Sequence, residues 1–371
     1  MHYRRSGKTE LLLSAFSLGT MRYLASEENA IAVVAAAVRS GINHIETARG
    51  YGNSERFLGV ALRSLPEGDR PYITTKVPPI ADGDLLDKQI DESLERLGVG
   101  TIDGLALHGI NTWEHLDRAK AAITTLQRAK ADGRIGHIGF STHAPLEVIL
   151  AAIETDFFEF VNLHYYYFFQ RNEPAIALAE RKDMGVFIIS PADKGGLLYR
   201  PPETLKQLCY PFSPLGLTYR FLLSDRRITT LSLGAATPQE LAFPLQFADA
   251  VGELTEAERS AFSRLQTHED NVLKTDKCAQ CYDCLPCPEN INIPEVLRLR
   301  NLAVAYDMVD YGKYRYGMFE NAGHWFPGNK GSRCTECGDC LPRCPENLDI
   351  PKLLKDADDR LGGKPRRRLW G

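Results

Sequence analysis

Apolar and polar positions follow one repeating pattern along most of the first 240 residues. Stretches with apolar residues at positions i, i+3 and i+4, as on one face of a helix, alternate with short apolar runs that are typical of buried strands. The pattern predicts eight strands, at Phe16–Gly19, Ile42–Ile45, Tyr72–Thr75, Ile102–Leu107, His137–Phe140, Phe158–Val161, Val186–Ile189 and Thr229–Leu233. It predicts helices between them, at Glu27–Ser40, Asp84–Leu97, Trp113–Asp132, Pro145–Glu154 and Pro174–Met184.

Eight strands that alternate with helices over about 250 residues indicate an α/β fold of the (β/α)8 TIM barrel type. A doubly wound open sheet is the alternative, but its G-x-G-x-x-G phosphate-binding fingerprint follows none of the eight strands. One more helix is predicted at Glu256–His268, and from Lys277 onward cysteine, proline and aromatic residues replace the alternation. We therefore expect two domains, a barrel at residues 1–270 and a mainly helical, ferredoxin-like domain at residues 271–371.

Composition and charge exclude several classes of protein. The chain has 371 residues, of which 44% are hydrophobic and 25% charged, so it is globular rather than disordered. Its net charge is −4, and no overall positive field points to nucleic acid. The longest apolar run, Ala30–Val38, has nine residues, less than half of what a membrane span needs. The basic stretch Lys364–Arg368 is expected to be a solvated chain end.

Eight of the nine cysteines lie in two short runs in the last quarter of the chain. Such clustering is typical of metal ligation by reduced thiolates, whereas a disulfide scaffold spreads its cysteines through the fold. The compartment is therefore expected to be the reducing cytoplasm. An export signal is the alternative, because Arg4-Arg5 precedes the apolar stretch Leu11–Met21.

Spacing within the two runs indicates iron–sulfur clusters. The second run has the C-x2-C-x2-C-x3-C-P spacing of bacterial 4Fe–4S ferredoxins, and the first is one residue shorter before its last cysteine. Both continue as Cys-Pro-Glu-Asn-x-x-Ile-Pro, an internal repeat. Zinc knuckles are the alternative, although a zinc site uses two separated pairs of cysteines. Eight thiolates predict two 4Fe–4S clusters, with the ligands Cys278, Cys281, Cys284, Cys287, Cys334, Cys337, Cys340 and Cys344.

The fourth cysteine of each run is expected to bind the cluster of the other run. In two-cluster ferredoxins the fourth ligand of such a run belongs to the other cluster. By that analogy Cys344 joins the first three cysteines of the first run, and Cys287 joins the first three of the second.

Polar residues recur at the ends of the second, third and fourth predicted strands. Glu46 follows the second strand and Tyr51 comes five residues later, while Lys76 ends the third strand and His108 the fourth. The carboxyl ends of barrel strands meet at one face, where barrel enzymes carry their chemistry. A single strand-end histidine is usually structural, but polar residues at successive strand ends predict one site.

On several segments the sequence resembles the aldo-keto reductases, and specifically the subgroup with a C-terminal iron–sulfur domain. The resemblance covers nearly the whole chain and places Leu11–Met21 on the family's N-terminal hairpin and first strand. That placement removes most of the case for an export signal. The segments that carry the resemblance are Ser17–Met21, Tyr51–Glu55, Thr75-Lys76, Ser93–Gly98, Leu107–Gly109, Ile138–His143 and Cys284–Pro288.

The resemblance implies a catalytic tetrad. Tyr51 would be the acid that protonates a carbonyl oxygen, and Lys76 would favour its phenolate form. Glu46 would hold Lys76 charged and in place, and His108 would orient the carbonyl and stabilise its developing negative charge. The family usually has Asp where Glu46 stands, so the longer side chain is expected to place Lys76 differently.

On the nicotinamide side the resemblance is less complete. The family grips a 2′-phosphate with Lys and Arg in the last loop, whereas residues 234–240 here contain no cation and include Glu240, which would repel a phosphate. A cation from elsewhere is the alternative. If a nicotinamide binds, NAD(H) is therefore expected to bind at least as well as NADP(H). His164 stands where Gln or Glu is usual, and the implied cofactor contacts are Thr20, Ser141, Asn162, Ser190 and Gly234.

The expected function is that of an iron–sulfur oxidoreductase of the aldo-keto reductase type. It would reduce or oxidise a small carbonyl or alcohol substrate and exchange single electrons, through its clusters, with a protein such as ferredoxin. Two alternatives stay open: a nicotinamide-free one-electron enzyme fed by ferredoxin, and a redox-sensing regulatory subunit like the potassium-channel β-subunits. The intact tetrad argues against the regulatory subunit. Neither nucleic acid nor a membrane span is expected.

Overall fold

The chain folds into two compact units. The computed structural model describes residues 1–364, so all of the expected basic end except Lys364 lies outside the described residues. The barrel unit comprises Met1–Gly195 and Thr218–Glu253, and the C-terminal unit comprises Gly196–Leu217 and the chain from Leu254 onward. Residues 270 and 271 lie within a single helix of the C-terminal unit, and the expected division there stays a prediction.

Eight parallel strands close into a barrel, which confirms the predicted fold class. In the described residues the barrel unit also has a short antiparallel hairpin, made by its first two strands. The strands are β1 (Tyr3–Arg5), β2 (Leu12–Ser14), β3 (Phe16–Gly19), β4 (His44–Glu46), β5 (Tyr72–Val77), β6 (Ile102–His108), β7 (Ile135–Ser141), β8 (Phe160–Leu163), β9 (Gly185–Ile188) and β10 (Thr230–Leu233). Strands β3 to β10 follow one another around the barrel, and β10 pairs with β3 to close it.

Helices follow the strands of the barrel, and local signals explain where they begin. The side chains of Ser26, Asp82 and Thr112 each accept a hydrogen bond from a backbone N–H in the first turn of a helix, which satisfies a donor that has no partner within the helix. The helices that begin in this unit are α1 (Glu27–Arg39), α2 (Ser54–Arg63), α3 (Gly83–Leu97), α4 (Trp113–Ala131), α5 (Leu146–Ile153), α6 (Glu173–Arg181) and α9 (Ala242–Leu245), with a 3-10 turn at Pro238–Leu241.

Apolar side chains close the amino-terminal end of the barrel. Leu13 of the hairpin packs there with Ala106, Phe160 and Phe187, and the last two rings stack with centroids 5.0 Å apart. Gly139 leaves room for this packing, because a Cβ at that position would lie 2.4 Å from the ring of Phe160. The polar residues at the strand ends lie at the opposite, carboxyl end of the barrel.

The C-terminal unit is mainly helical, and its internal repeat folds in the same way twice. After each cysteine run an Asn or Asp accepts a hydrogen bond from the first turn of a helix: Asn292 does so for Ile293–Tyr306 and Asp349 for Ile350–Leu361. Pro294 and Pro351 occupy the second position of these helices, where proline is tolerated.

The bounds of the remaining helices complete the C-terminal side of the chain. Among residues 1–364, no helix is long and apolar enough to cross a membrane. The helices are α7 (Glu203–Cys209), α8 (Pro214–Ser224), which crosses from one unit into the other, α10 (Glu256–Leu273), α11 (Ile293–Tyr306), α12 (Val309–Tyr316) and α13 (Ile350–Leu361), with 3-10 turns at Lys274–Asp276, Gly323–Trp325, Gly331–Arg333 and Leu341–Arg343.

Candidate active site and cysteine clusters

A buried ion pair stands at the carboxyl end of β4 and β5. Lys76 Nζ lies 3.1 Å from Glu46 Oε2, and each side chain is only 4% exposed. Lys76 also donates a hydrogen bond to the backbone oxygen of Thr47, at 3.1 Å. Burial is the largest effect on both groups and opposes their charges, but the opposite charge, the hydrogen bonds and other nearby groups together outweigh it: the pKa of Lys76 is raised and the pKa of Glu46 is lowered. Both groups are therefore charged near neutral pH.

Tyr51 and His108 complete the group that the sequence predicts. Lys76 Nζ lies 5.8 Å from the centre of the Tyr51 ring, and the ring of His108 lies 5.5 Å from it, edge to face at 83°. The structure thus brings all four predicted catalytic residues together at one end of the barrel. The arrangement combines a phenol, a buried ammonium and an imidazole, which are the groups needed to protonate and polarise a carbonyl.

Buried hydroxyls fix the loop that carries Tyr51. Ser54 Oγ donates to Thr20 Oγ1 at 2.7 Å and lies 2.9 Å from Thr47 Oγ1. Thr20 is fully buried and donates to the backbone oxygen of Glu46 at 3.0 Å. In this structure Thr20, which was expected on the cofactor side, therefore supports both Glu46 and the loop.

A second buried carboxylate holds the first turn of α2, directly after that loop. Thr75 Oγ1 donates to Glu55 Oε1 at 2.6 Å, and Arg96 Nε donates to Glu55 Oε2 at 2.6 Å. Glu55 is 1% exposed and Thr75 fully buried. From the sequence, Ser54 and Glu55 were only part of a motif and had no predicted role. The two threonines before Lys76 in a buried strand were the signal that polar partners had to lie nearby.

Asn162 contacts the tetrad directly. Its Nδ2 donates to Glu46 Oε2 at 2.5 Å, and its side chain is fully buried. Its Oδ1 is buried, and within residues 1–364 no donor forms a hydrogen bond to it. Ser141, at the end of the neighbouring strand, accepts a hydrogen bond from the Gly109 backbone through its Oγ at 3.1 Å. Both residues lie at the tetrad end of the barrel, and the amide of Asn162 also positions the carboxylate that holds Lys76.

A cation from outside the last loop contacts that loop. Arg22, which follows β3, donates to the backbone oxygen of Gly234 at 2.5 Å and forms two hydrogen bonds with Glu240, at 2.7 and 3.2 Å. The last loop thus has a cation beside it that comes from elsewhere in the chain, which was the alternative to a loop without one. The carboxylate of Glu240 pairs with this cation and neutralises its charge. Ser190, after β9, has a left-handed backbone with φ of 47°, and its backbone oxygen accepts from the Lys194 N–H at 3.1 Å.

A chain of hydrogen-bonded rings lies at the carboxyl ends of β7 and β8. His164 Nε2 lies 3.1 Å from His143 Nδ1, and His164 Nδ1 lies 2.5 Å from the hydroxyl of Tyr166. That hydroxyl donates to the backbone oxygen of Ile189, so His164 Nδ1 is the donor to Tyr166. His164 Nε2 then accepts from His143. In this direction of hydrogen bonding the Nδ1 proton of His143 is donated to His164.

The eight clustered cysteines surround two cavities. Cys278, Cys281 and Cys284 line a cavity together with Cys344. The second cavity is lined by Cys287 together with Cys334, Cys337 and Cys340. Each cavity thus takes its fourth cysteine from the other run, the grouping expected by analogy with two-cluster ferredoxins.

The donor set of these cavities fits iron–sulfur clusters. Burial raises the pKa of the Cys284 thiol to about 12, and the nearby Cys278 and Cys281 add to the effect. A positive centre such as the irons of a cluster would favour the thiolate form of Cys284 despite this burial. Among the described residues, no three His, Cys, Asp or Glu side chains form a group that suits a single metal ion. Four cysteines that line one cavity are the ligand set of a 4Fe–4S cluster.

Sequence profiles of two known families match the chain. The profile of the aldo/keto reductase family matches residues 15–258, and the profile of the 4Fe-4S dicluster domain matches residues 277–348. The first match alone spans most of the barrel unit and more than half of the chain.

Individual relatives are similar to parts of the chain. An L-galactose dehydrogenase of Arabidopsis thaliana is 33% identical over 164 residues, which are 41% of this chain and about half (51%) of that protein. An uncharacterized oxidoreductase of Bacillus subtilis is 25% identical over 304 residues, covering 72% of this chain and 96% of that protein. The holo form of an aldo-keto reductase from Bacillus halodurans shares the fold with a TM-score of 0.63 at 23% identity, over 71% of this chain and 96% of that one.

Proposed function

The chain belongs to the aldo/keto reductase family and carries a 4Fe-4S dicluster domain, and on that premise we propose that it interconverts a small carbonyl and its alcohol with electron transfer through two 4Fe–4S clusters. The observation that carries the proposal is the buried Lys76–Glu46 pair, which faces Tyr51 in a chain that also has two four-cysteine cavities. The resemblance drawn from the sequence is confirmed at the level of family, fold and oxidoreductase class.

In the reduction direction, Tyr51 donates its hydroxyl proton to the carbonyl oxygen of the substrate. The ammonium of Lys76, 5.8 Å from the ring centre, stabilises the phenolate that remains. Glu46 keeps that ammonium charged although it is buried, and Asn162 holds Glu46. His108 orients the carbonyl and stabilises the negative charge that develops on its oxygen. When bound, a nicotinamide would supply hydride and the clusters would supply single electrons.

The nicotinamide contacts are proposed for Thr20, Ser141, Asn162, Ser190 and Gly234. NAD(H) should bind at least as well as NADP(H), because Glu240 already pairs with Arg22, the cation beside the last loop. A 2′-phosphate would have to separate this pair and would meet a carboxylate.

One observation favours a second candidate, a nicotinamide-free enzyme that takes single electrons from ferredoxin or another electron-transfer protein. Two of the proposed cofactor contacts are engaged elsewhere: Asn162 binds Glu46, and Gly234 binds Arg22. Reduction of one carbonyl by electrons alone takes two electrons and two protons. Two clusters can store two electrons, Tyr51 supplies one proton, and the second proton comes from the solvent.

Substrate and location are proposals of the same kind. The named dehydrogenase relative acts on a sugar, L-galactose, which supports a small polar carbonyl or alcohol as the substrate class. Reduced, clustered cysteines support a cytoplasmic location.

The test uses anaerobically reconstituted protein and a panel of small aldehydes and sugars. Each compound is offered with NADH, with NADPH, and with reduced ferredoxin, and Tyr51→Phe serves as the matched variant. Turnover with a nicotinamide that is lost in Tyr51→Phe supports the first candidate, and turnover with ferredoxin alone supports the second. No Tyr51-dependent turnover under any condition would contradict both.

A further inference from the structure

The two cysteine runs differ in chemistry at one matched position. The first run reads Cys278-Ala279-Gln280-Cys281 and the second reads Cys334-Thr335-Glu336-Cys337. Gln280 and Glu336 occupy the same place in the repeat and share a left-handed backbone, with φ of 62° and 58°. The backbone therefore has a similar conformation at both positions, where one residue is a neutral amide and the other a carboxylate.

Gln280 donates a hydrogen bond to a cluster ligand. Its Nε2 lies 3.3 Å from Cys278 Sγ and 2.8 Å from the backbone oxygen of Pro294. The second bond fixes the amide, so one of its N–H groups stays directed at the sulfur. A carboxylate at the matched position has no proton to donate, and Glu336 is exposed.

We propose that Gln280 raises the reduction potential of the cluster held by Cys278, Cys281, Cys284 and Cys344, and that Glu336 lowers the potential of the other cluster. This inference rests on the proposed function, in that both cavities hold a 4Fe–4S cluster. Each cluster gains one electron, and hence one negative charge, when it is reduced. A hydrogen bond to a ligand sulfur stabilises that charge, and a nearby carboxylate opposes it.

The other charged residues that line the two cavities do not account for the proposed difference in reduction potential between the clusters. Glu346 lines the first cavity and Glu289 the second, and these two residues are matched in the repeat. Arg343 lines the second cavity and has no counterpart in the first run. Its guanidinium donates to the backbone oxygens of Asp339 and Pro286, not to a sulfur. The effect of position 280 or 336 is therefore measured by exchanging that residue, with Arg343 left in place.

The experiment is an anaerobic potentiometric titration of the holoprotein with dithionite, followed by electron paramagnetic resonance. Gln280→Glu should lower one of the two midpoint potentials, and Glu336→Gln should raise the other. Each change is expected to alter the one-electron equilibrium about tenfold, or roughly 59 mV. Gln280→Met keeps the length of the side chain, removes the hydrogen-bond donor and adds no charge, so it should lower the same midpoint potential by a smaller amount. It replaces Gln280→Glu as the test if that variant loses iron.

Iron and acid-labile sulfide are measured on every sample. Wild-type protein without about eight of each would fail the proposed function itself. If the clusters are complete, two unchanged midpoints in Gln280→Glu and Glu336→Gln would overturn the inference alone. A shift of the same midpoint by both substitutions would also overturn it, because the two residues would then act on one cluster.

Discussion

Replacement of Glu46 by Gln should destabilise the barrel far more than loss of an ordinary ion pair does. The substitution keeps the size of the side chain and an oxygen for the Asn162 amide, but it removes the charge opposite Lys76. At 3.1 Å and an effective dielectric constant of about 20, that attraction is about 5 kcal/mol. Breaking a buried pair by removing one partner typically costs about 3–5 kcal/mol. We expect a loss of that size at pH 7.

The loss should also depend on pH with a defined sign. In the wild type the pKa of Lys76 is raised and the pKa of Glu46 is lowered. The ion pair therefore contributes its full amount to the free energy of unfolding between the ordinary pKa values of the two groups, from about pH 5 to about pH 10. Without Glu46, burial lowers the pKa of Lys76 below its value in the unfolded chain. The unfolded state then binds more protons, so the stability of Glu46→Gln should rise with pH towards the wild-type value.

The assay is urea denaturation of the anaerobic protein at several pH values, with kcat measured in parallel. Glu114→Gln is the matched control, because Glu114 pairs with Arg118 at 2.6 Å but is 70% exposed, and such a pair is worth only about 0.3–0.5 kcal/mol. The reasoning is refuted if Glu46→Gln costs no more than Glu114→Gln, or if its stability falls as pH rises from 7 to 9.

Three further substitutions test other parts of the site. Tyr51→Phe should reduce kcat by about 10²–10⁴-fold and leave iron content and stability unchanged, as checked by steady-state rates and iron assay; full activity would place the proton donor elsewhere. Cys344→Ser should lower the iron content from about eight to about four, and adding Cys281→Ser should cost no more iron, because both cysteines line the same cavity; loss of nearly all iron in the double variant would contradict the exchange of fourth ligands. Glu240→Gln should increase the affinity for NADPH relative to NADH, because it releases Arg22; calorimetric titration with both nucleotides would show it, and an unchanged ratio would mean that Arg22 does not face the phosphate.

The barrel was predictable because short buried strands carry their own signal. Mainly apolar runs such as Ile102–Leu107 are stable only where the fold buries them, so they predict a strand in the core. The observed strand Ile102–His108 differs from the predicted one by one residue. Ends of elements were less certain: α6 was expected to reach Met184 but ends at Arg181, before the turn that leads into β9. Helix ends depend on such local turns, which the apolar pattern does not encode.

The tetrad residues could be placed because each follows a strand of a closed barrel, where strand order fixes their proximity. The contacts around them could not be predicted. Asn162 lies 116 residues from Glu46, and Arg22 lies 218 residues from Glu240. The direction in which an amide or a guanidinium points depends on partners that only the folded chain supplies, so the sequence predicted the loop without a cation but not the arginine that contacts it.

The measurement that tests the central claim most directly is the reoxidation of the reduced clusters by a carbonyl compound. Holoprotein is reduced anaerobically with dithionite, freed of excess reductant, and mixed with each aldehyde of the panel while the visible absorbance of the clusters is followed. We predict that one aldehyde restores the oxidised spectrum with one alcohol formed per chain, because two clusters hold the two electrons that one carbonyl takes up, and that Tyr51→Phe slows this step by about 10²–10⁴-fold. Clusters that stay reduced while the same protein turns over an aldehyde with a nicotinamide would contradict the claim that electrons pass between them and the barrel site.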